Sequence, residues 1–170
     1  MKNTPFLLVV VPIFALAGAA CEPAEDQQQP AAEEAATTEA DVEAIRALLD
    51  DFVAAENAGD LQTIMALITE DVVHMAPEEP PVVGADAVRT WWESAFGQVD
   101  IQGAVSDVEI QAFGDWGFIR GIWNVTTTPK SGGEPQQNDY SFISVVRREN
   151  GAWKEARVVW NTNAPPPSTQ

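Results

Sequence analysis

The back half of this chain reads as four extended runs joined by turns. Segments rich in Val, Ile, Phe, Trp and Thr fall at about 105–113, 116–128, 138–148 and 153–161, separated by Gly114-Asp115, a polar stretch at 129–137, and Asn150-Gly151. Asn-Gly between two apolar runs is a strong hairpin signal, because a two-residue type I′ turn needs positive φ at both central positions. Four strands in this order form an antiparallel meander. Its apolar face has to be covered by other elements.

Those elements precede the strands. Val42, Ile45, Leu48, Leu49, Phe52 and Val53 recur at helical spacing, with Thr38 and Asp41 placed as a capping box. Gly59 ends this helix, Asp60 caps the next, and Leu61, Ile64, Met65, Leu67 and Ile68 form the apolar side of a second, shorter one. The link Asn57-Ala58-Gly59-Asp60 is so short that the two helices pack as neighbours. A short strand is expected at 72–75. Pro77, Pro80 and Pro81 then argue against regular structure before Gly84. A third helix begins near Ala85 and shows Val88, Trp91, Trp92, Ala95 and Phe96 on one side. The predicted fold class is α+β: a cone-shaped roll with N-terminal helices on the concave face of a curved, mainly antiparallel sheet.

Side chains alternate across a strand, so parity predicts which ones face the helices. On the second long strand the small or apolar set is Gly117, Ile119, Gly121, Trp123 and Val125, leaving Arg120, Asn124 and Thr126 outside. The same test turns Tyr140, Phe142 and Val146 inward, followed by Ala156, Val158 and Trp160. The concave side is therefore aromatic, as in a small-molecule pocket, with Phe52, Trp92, Trp123, Tyr140, Phe142 and Trp160 as its expected lining.

The N-terminal region has a different character. Residues 1–20 combine Lys2, an apolar stretch interrupted by Pro12, and the small residues Ala17-Gly18-Ala19-Ala20, which together read as a secretory signal peptide. The apolar stretch falls short of the roughly 20 residues a membrane-spanning helix needs. Cys21 is the only cysteine, so no internal disulfide can form. It stands where a lipoprotein signal peptidase would leave it as the new N-terminus, although Gly18 occupies a lipobox position where a larger aliphatic residue is usual. The expected location is the bacterial cell envelope, lipid-anchored through Cys21 on the periplasmic or outer surface. Cleavage after Ala19 or Ala20 and release as a secreted soluble protein is the alternative.

Residues 21–40 read as a disordered acidic tether, 41–163 as the folded domain and 164–170 as a disordered Pro-rich tail. The net charge of -17, with nine Lys and Arg, argues against nucleic acid or anionic lipid as a partner.

The motifs Asn57-Ala58-Gly59-Asp60, Glu70-Asp71-Val72-Val73, Pro77, Val82-Val83-Gly84, Gly114-Asp115-Trp116, Asn150-Gly151-Ala152-Trp153-Lys154 and Val159-Trp160-Asn161, in that order, resemble the nuclear-transport-factor-two-like superfamily. Within it they are most similar to the SnoaL-like and ketosteroid-isomerase-like group. The resemblance spans about residues 39–163. It implies a curved sheet around a hydrophobic cavity, often a homodimer through the sheet, in proteins that include isomerases, cyclases, dehydratases and non-catalytic binders.

Ketosteroid isomerase uses an Asp base with an oxyanion hole of a Tyr and a protonated Asp. Aligned on that pattern, this chain has Ala76 at the base position and Phe52 at the Tyr position. Ser144-Val145-Val146 occupies the third region, with Asp139 several residues away. All three departures argue against steroid-type isomerisation.

His74 is the single histidine, and histidine is the side chain whose ordinary pKa of about 6.5 suits proton exchange near neutrality. It is the candidate catalytic residue. A half-buried histidine bonded to helix backbone is the plainer alternative. Asp71, His74, Glu78, Glu79 and Asp86 lie close in sequence but offer only one nitrogen ligand, so no metal is expected. No phosphate-binding glycine loop, Ser-His-Asp order or Cys-His pair is evident, and no cofactor is expected.

The favoured function from sequence is binding of a small apolar or aromatic ligand in a hydrophobic pocket. The alternatives are a proton-transferring enzyme of isomerase, cyclase or dehydratase type using His74, and a non-catalytic dimerisation or protein-interaction module.

Overall fold

The computed structural model describes the backbone of residues 29–163 and the side chains of residues 39–163. The segment read as a signal peptide, Cys21, the first part of the expected tether and the Pro-rich tail lie outside the described residues. In chain order the elements are α1 (Gln29–Ala58), α2 (Leu61–Leu67), β1 (Ile68–Met75), β2 (Val82–Val83), α3 (Ala85–Gln98), β3 (Val99–Phe113), β4 (Trp116–Pro129), β5 (Gln136–Glu149) and β6 (Ala152–Thr162). The strands form one unclosed sheet in the order β2-β1-β6-β5-β4-β3. Every neighbouring pair is antiparallel except β1 with β6. The chain thus adopts the α+β architecture expected of it, with the helices on the concave face.

Several boundaries differ from expectation. α1 begins at Gln29, so the segment expected to be a disordered tether is helical from there on. Ala and Glu are strong helix formers, and their run before Thr38 continues the amphipathic helix backward without a break. Asp41 accordingly serves no capping box. It is buried, and its carboxylate pairs with Arg148 on β5. The Arg148 guanidinium lies 4.5 Å over the Trp153 ring, tying the start of the domain to the β5–β6 hairpin.

The first strand starts at Ile68, four residues earlier than expected, because its early part pairs with β6. Val82 and Val83, expected to be irregular, form a two-residue edge strand on β1. Pro80 and Pro81 lack the N–H that would extend it. β3 begins at Val99, and its polar opening residues pair with the end of β4.

The turn chemistry holds where it was specific. Gly59 has φ 64, and Asp60 caps α2 by accepting from the Thr63 N–H at 3.1 Å and the Thr63 hydroxyl at 2.7 Å. Asn150 and Gly151 both have positive φ, 52° and 83°, as a type I′ turn demands.

Two clusters fill the interior. Ile45, Leu48 and Leu49 of α1 pack on Ala112, Ile119, Val146 and Trp153, while Ala55, Ile64, Val72, Val88 and Trp92 join α2, α3 and β1. The parity read for β4 is correct: Ile119 and Val125 are buried, whereas Arg120 is exposed and paired with Glu109. Asn57 at the end of α1 locks the helix to the sheet. Its amide nitrogen donates to the Gly103 carbonyl at 2.9 Å, and its oxygen accepts from the Gly103 N–H at 2.6 Å.

Glycines on β4 set the distance between helix and sheet. A Cβ at Gly117 would stand 2.7 Å from the Gln111 carbonyl oxygen and 2.9 Å from the Ile45 side chain. Gly117→Ala is expected to destabilise the domain by about 1–3 kcal/mol through overpacking, read as a lower urea midpoint. Wild-type stability in this variant would contradict the close approach.

Candidate active site

Between α1, α3 and the concave face of the sheet lies a cavity of about 90 Å³. Its walls are mostly apolar, including Leu48, Leu49, Phe52, Ile119 and Val158. Of the pocket residues expected from sequence, Phe52, Trp92, Trp123, Phe142 and Trp160 line it, as does His74. Tyr140 does not. It packs against Trp123 with ring centroids 5.6 Å apart, beyond the point where β5 leaves the cavity wall. Cys21 lies outside the described residues.

His74 is 2% exposed. Its Nε2 lies 3.2 Å from Glu155 Oε1, and the Ser144 hydroxyl donates to Glu155 Oε2 at 2.6 Å. A carboxylate can only accept, so in this arrangement Nε2 carries a proton, and in the neutral ring Nδ1 is the acceptor nitrogen. Nδ1 is buried and has no partner among the described residues. The ring is held edge-on by Trp91, Trp92 and Trp160, with centroids 6.0–6.3 Å away. The partner of this histidine is therefore a carboxylate of the sheet, not helix backbone.

Three strands build the chain Ser144–Glu155–His74. His74 on β1 and Ser144 on β5 both register with Val158 of β6, so they flank the same point of the central strand. Glu155 reaches them through a β-bulge: Val145 and Val146 of β5 pair with Arg157 and Glu155, leaving Ala156 as an extra residue. The bulge reverses the parity of β6 at Ala156. Trp153 and Glu155 face inward before it, and Val158 and Trp160 face inward after it.

Glu56, on α1, is the fourth polar side chain of this cavity. It stands one helical turn after Phe52, on the stripe that faces the sheet, and is only 5% exposed. Among the described residues its carboxyl makes no hydrogen bond or ion pair. Burial, and secondarily the negative charge of Glu155, pushes its pKa up to about 8. At neutral pH the site thus holds a protonated acid alongside a histidine–carboxylate pair, inside apolar walls. A protonated carboxyl can donate to a ligand oxygen. The paired His74 and Glu155 can accept a proton and share it.

Sequence reasoning singled out His74 but not Glu56, Glu155 or Ser144. A signal existed for the first: continuing the α1 spacing from Leu48 through Phe52 lands on Glu56. For Glu155 the clue was that Trp153 and Trp160 are seven residues apart, an odd separation, so both can face inward only if the strand changes parity between them. Asp71, the other acidic candidate near His74, is exposed and bound by Arg147 and Arg157. Hydrogen bonds from Arg147, and with them one from Arg157, hold its carboxyl well below the ordinary range. Among the described residues no three metal-ligating side chains come together.

The comparisons agree with the fold. The model of the SnoaL-like domain matches residues 49–156, and the chain belongs to that family. A ketosteroid isomerase-like protein from Erwinia carotovora atroseptica is 28% identical, with 73% of this chain and 97% of that protein covered at a TM-score of 0.65. A conserved protein from Planctomyces limnophilus is 26% identical, covering 73% and 98% at a TM-score of 0.65. A Streptomyces avermitilis protein named provisionally as a dehydratase of the NTF2-like family shares the fold at 19% identity, covering 75% and 99% at a TM-score of 0.69. Comparison with functionally curated proteins gave no match.

The raised acid carries a stability signature. The Glu56 carboxyl ionises near 4.5 when freed but near 8 in the fold, so the folded state binds more protons between those values and stability falls as pH rises through that window. The full effect is on the order of 3–5 kcal/mol. Glu56→Gln keeps the shape and removes the titration. Urea unfolding at about pH 5 and about pH 8.5 should show this fall in wild type and a much flatter response in the variant. Equal pH responses in the two proteins would contradict a buried, protonated Glu56.

Proposed function

We propose that this domain binds a small, mostly apolar ligand carrying a keto or hydroxy oxygen, and moves a proton on it. Glu56 presents its acid proton to the ligand oxygen, while the His74–Glu155 pair, steadied by Ser144, receives the proton removed from the neighbouring atom. The observation that carries this reading is the carboxyl of Glu56, a residue only 5% exposed, without a protein partner among the described residues and in the same apolar cavity as a buried histidine–carboxylate pair. Buried polar groups are normally satisfied, and a carboxyl whose proton affinity burial raises within an apolar cleft is a candidate catalytic group.

Cavity size limits the ligand. An engineered apolar cavity of ~150 Å³ takes benzene, so about 90 Å³ favours a guest of only a few heavy atoms. A larger aromatic guest requires Trp91 and Trp160, which are partly exposed, to move aside. Steroid-sized substrates do not fit. The names of the Erwinia and Streptomyces neighbours, isomerase-like and dehydratase, belong to reaction classes that use this kind of proton movement.

The test is exchange of α-protons of small ketones, such as acetone and cyclobutanone, with solvent deuterium, followed by NMR. Wild-type protein should accelerate exchange, and His74→Ala and Glu56→Gln should each reduce the acceleration by roughly 10²–10⁴-fold. No acceleration by wild type, or none lost on changing Glu56, would overturn the proposed chemistry.

We also propose that the domain is held at the cell envelope through acylated Cys21, which supports a cavity that samples ligands outside the cytoplasm. Cys21→Ser should then shift the protein from the membrane to the soluble fraction. An unchanged distribution would count against the anchor.

A further inference from the structure

A second pocket, of about 270 Å³, lies at the C-terminal end of α1, bounded by Asn57, Ala58, Phe96, Asp100, Gln102 and Lys130. It shares one residue with the inner cavity, and that residue is Glu56. The two spaces differ in character. The inner one is apolar apart from Glu56, His74, Ser144 and Glu155, whereas the outer one has an amide, a carboxylate and an ammonium group in its walls.

We propose that Glu56 is the port through which the buried site exchanges protons with water, by way of this outer pocket. The proposal rests on the acid–base reading above and adds the route by which the acid is recharged.

The other groups of the site are badly placed for that task. His74 is 2% exposed and committed through Nε2 to Glu155, while its Nδ1 is sealed from solvent. Glu155 accepts from both Ser144 and His74. The walls of the outer pocket, by contrast, are already satisfied and do not call for a ligand. The Gln102 amide donates to the Asn57 carbonyl at 3.0 Å, Asn57 is bonded to Gly103, and Lys130 donates to the Phe96 carbonyl at 2.7 Å with Asp100 3.4 Å away. Such walls suit water. Glu56 belongs to both linings, and among the described residues its carboxyl has no hydrogen-bond or ion-pair partner.

Charged or titratable groups approach Glu56 from both sides: His74 of β1 and Glu155 of β6 within the cavity, and Asp100 of β3 and Lys130 beyond β4 at the pocket. In the cycle, the carboxyl O–H bond of Glu56 breaks as its proton forms a new O–H bond on the ligand oxygen. The reverse transfer closes the cycle: the His74–Glu155 pair returns its proton to the neighbouring atom as the ligand O–H bond breaks and its proton re-forms the Glu56 carboxyl. Between turns that carboxyl gives its proton to a water of the outer pocket and takes one from a hydronium ion there, so solvent protons enter the site with no net charge left behind.

The carbonyl stretch of a protonated carboxyl reports this directly in the full-length protein, with Glu56→Gln identifying the band. Proton loss is triggered by a rapid jump from about pH 6 to about pH 10, which brackets the raised Glu56 value of about 8, and followed by time-resolved infrared spectroscopy. Ala58→Trp places a large side chain over the outer pocket from an exposed position at the helix end and should slow proton loss at least tenfold. Val105→Phe, which narrows the inner cavity, should leave the rate unchanged. Asp100→Trp, at another exposed rim position, serves as the second block. Near-UV circular dichroism of the tryptophans verifies that each variant is folded.

Equal rates in wild type and both rim variants would overturn the port, as would slowing by Val105→Phe alone. Absence of the Glu56 band in wild type at pH 6 would instead overturn the acid–base reading itself, so the two failures are distinct.

Discussion

The close approach of α1 to the concave face of the sheet is the constraint from which the rest of the molecule follows. Bare backbone at Gly117 lets Ile45 settle against β4, and the stripe through Leu48, Leu49 and Phe52 is drawn down with it. Because side chains one turn apart share a helix face, the next position, Glu56, is carried under the same roof despite being acidic. A charged group in that position is costly unless it neutralises or finds a partner, and this one neutralises. The packing that stabilises the fold also generates a protonated acid in its interior.

The sheet contributes the complementary half by a local irregularity. An unbroken β6 would send either Glu155 or Trp160 to the outer face. With Ala156 inserted, both lie inside, and Glu155 meets His74 from β1 and Ser144 from β5. Bulges are common beside active sites because they re-aim a side chain without changing the strands on either side. The apolar surroundings then act on all the polar groups together, since hydrogen bonds and charges interact more strongly away from water.

What could be read in advance was whatever depends on local chemistry. Asn150-Gly151 fixed a hairpin, Asp60 fixed a helix start, and alternation along β4 separated Ile119 from Arg120, all of which need only neighbouring residues to decide. His74 was legible because it is the only histidine, and the aromatic lining because parity runs true along β4 and β5. The remaining members of the site were hidden by non-local effects. Glu56 stands on the inward stripe of α1, but an acid at a helix end reads as solvated, and only the tertiary packing shows that it is buried. Glu155 was hidden by the bulge, which has no sequence signature as firm as Asn-Gly. Asp41 looked like a capping residue because its true partner, Arg148, is more than a hundred positions away. The start of α1 was missed for the opposite reason: a composition typical of disordered tethers is also one with high helix propensity.

The bond pair between Asn57 and Gly103 has a consequence for how the molecule behaves among copies of itself. β3 is fifteen residues long and forms one border of the sheet, the kind of unpaired rim that can recruit another chain and seed aggregation. By engaging both the N–H and the C=O of Gly103, the Asn57 amide imitates a neighbouring strand at that position. An incoming segment finds those two groups already occupied and a helix standing in its way, so strand addition is obstructed at that point of the border.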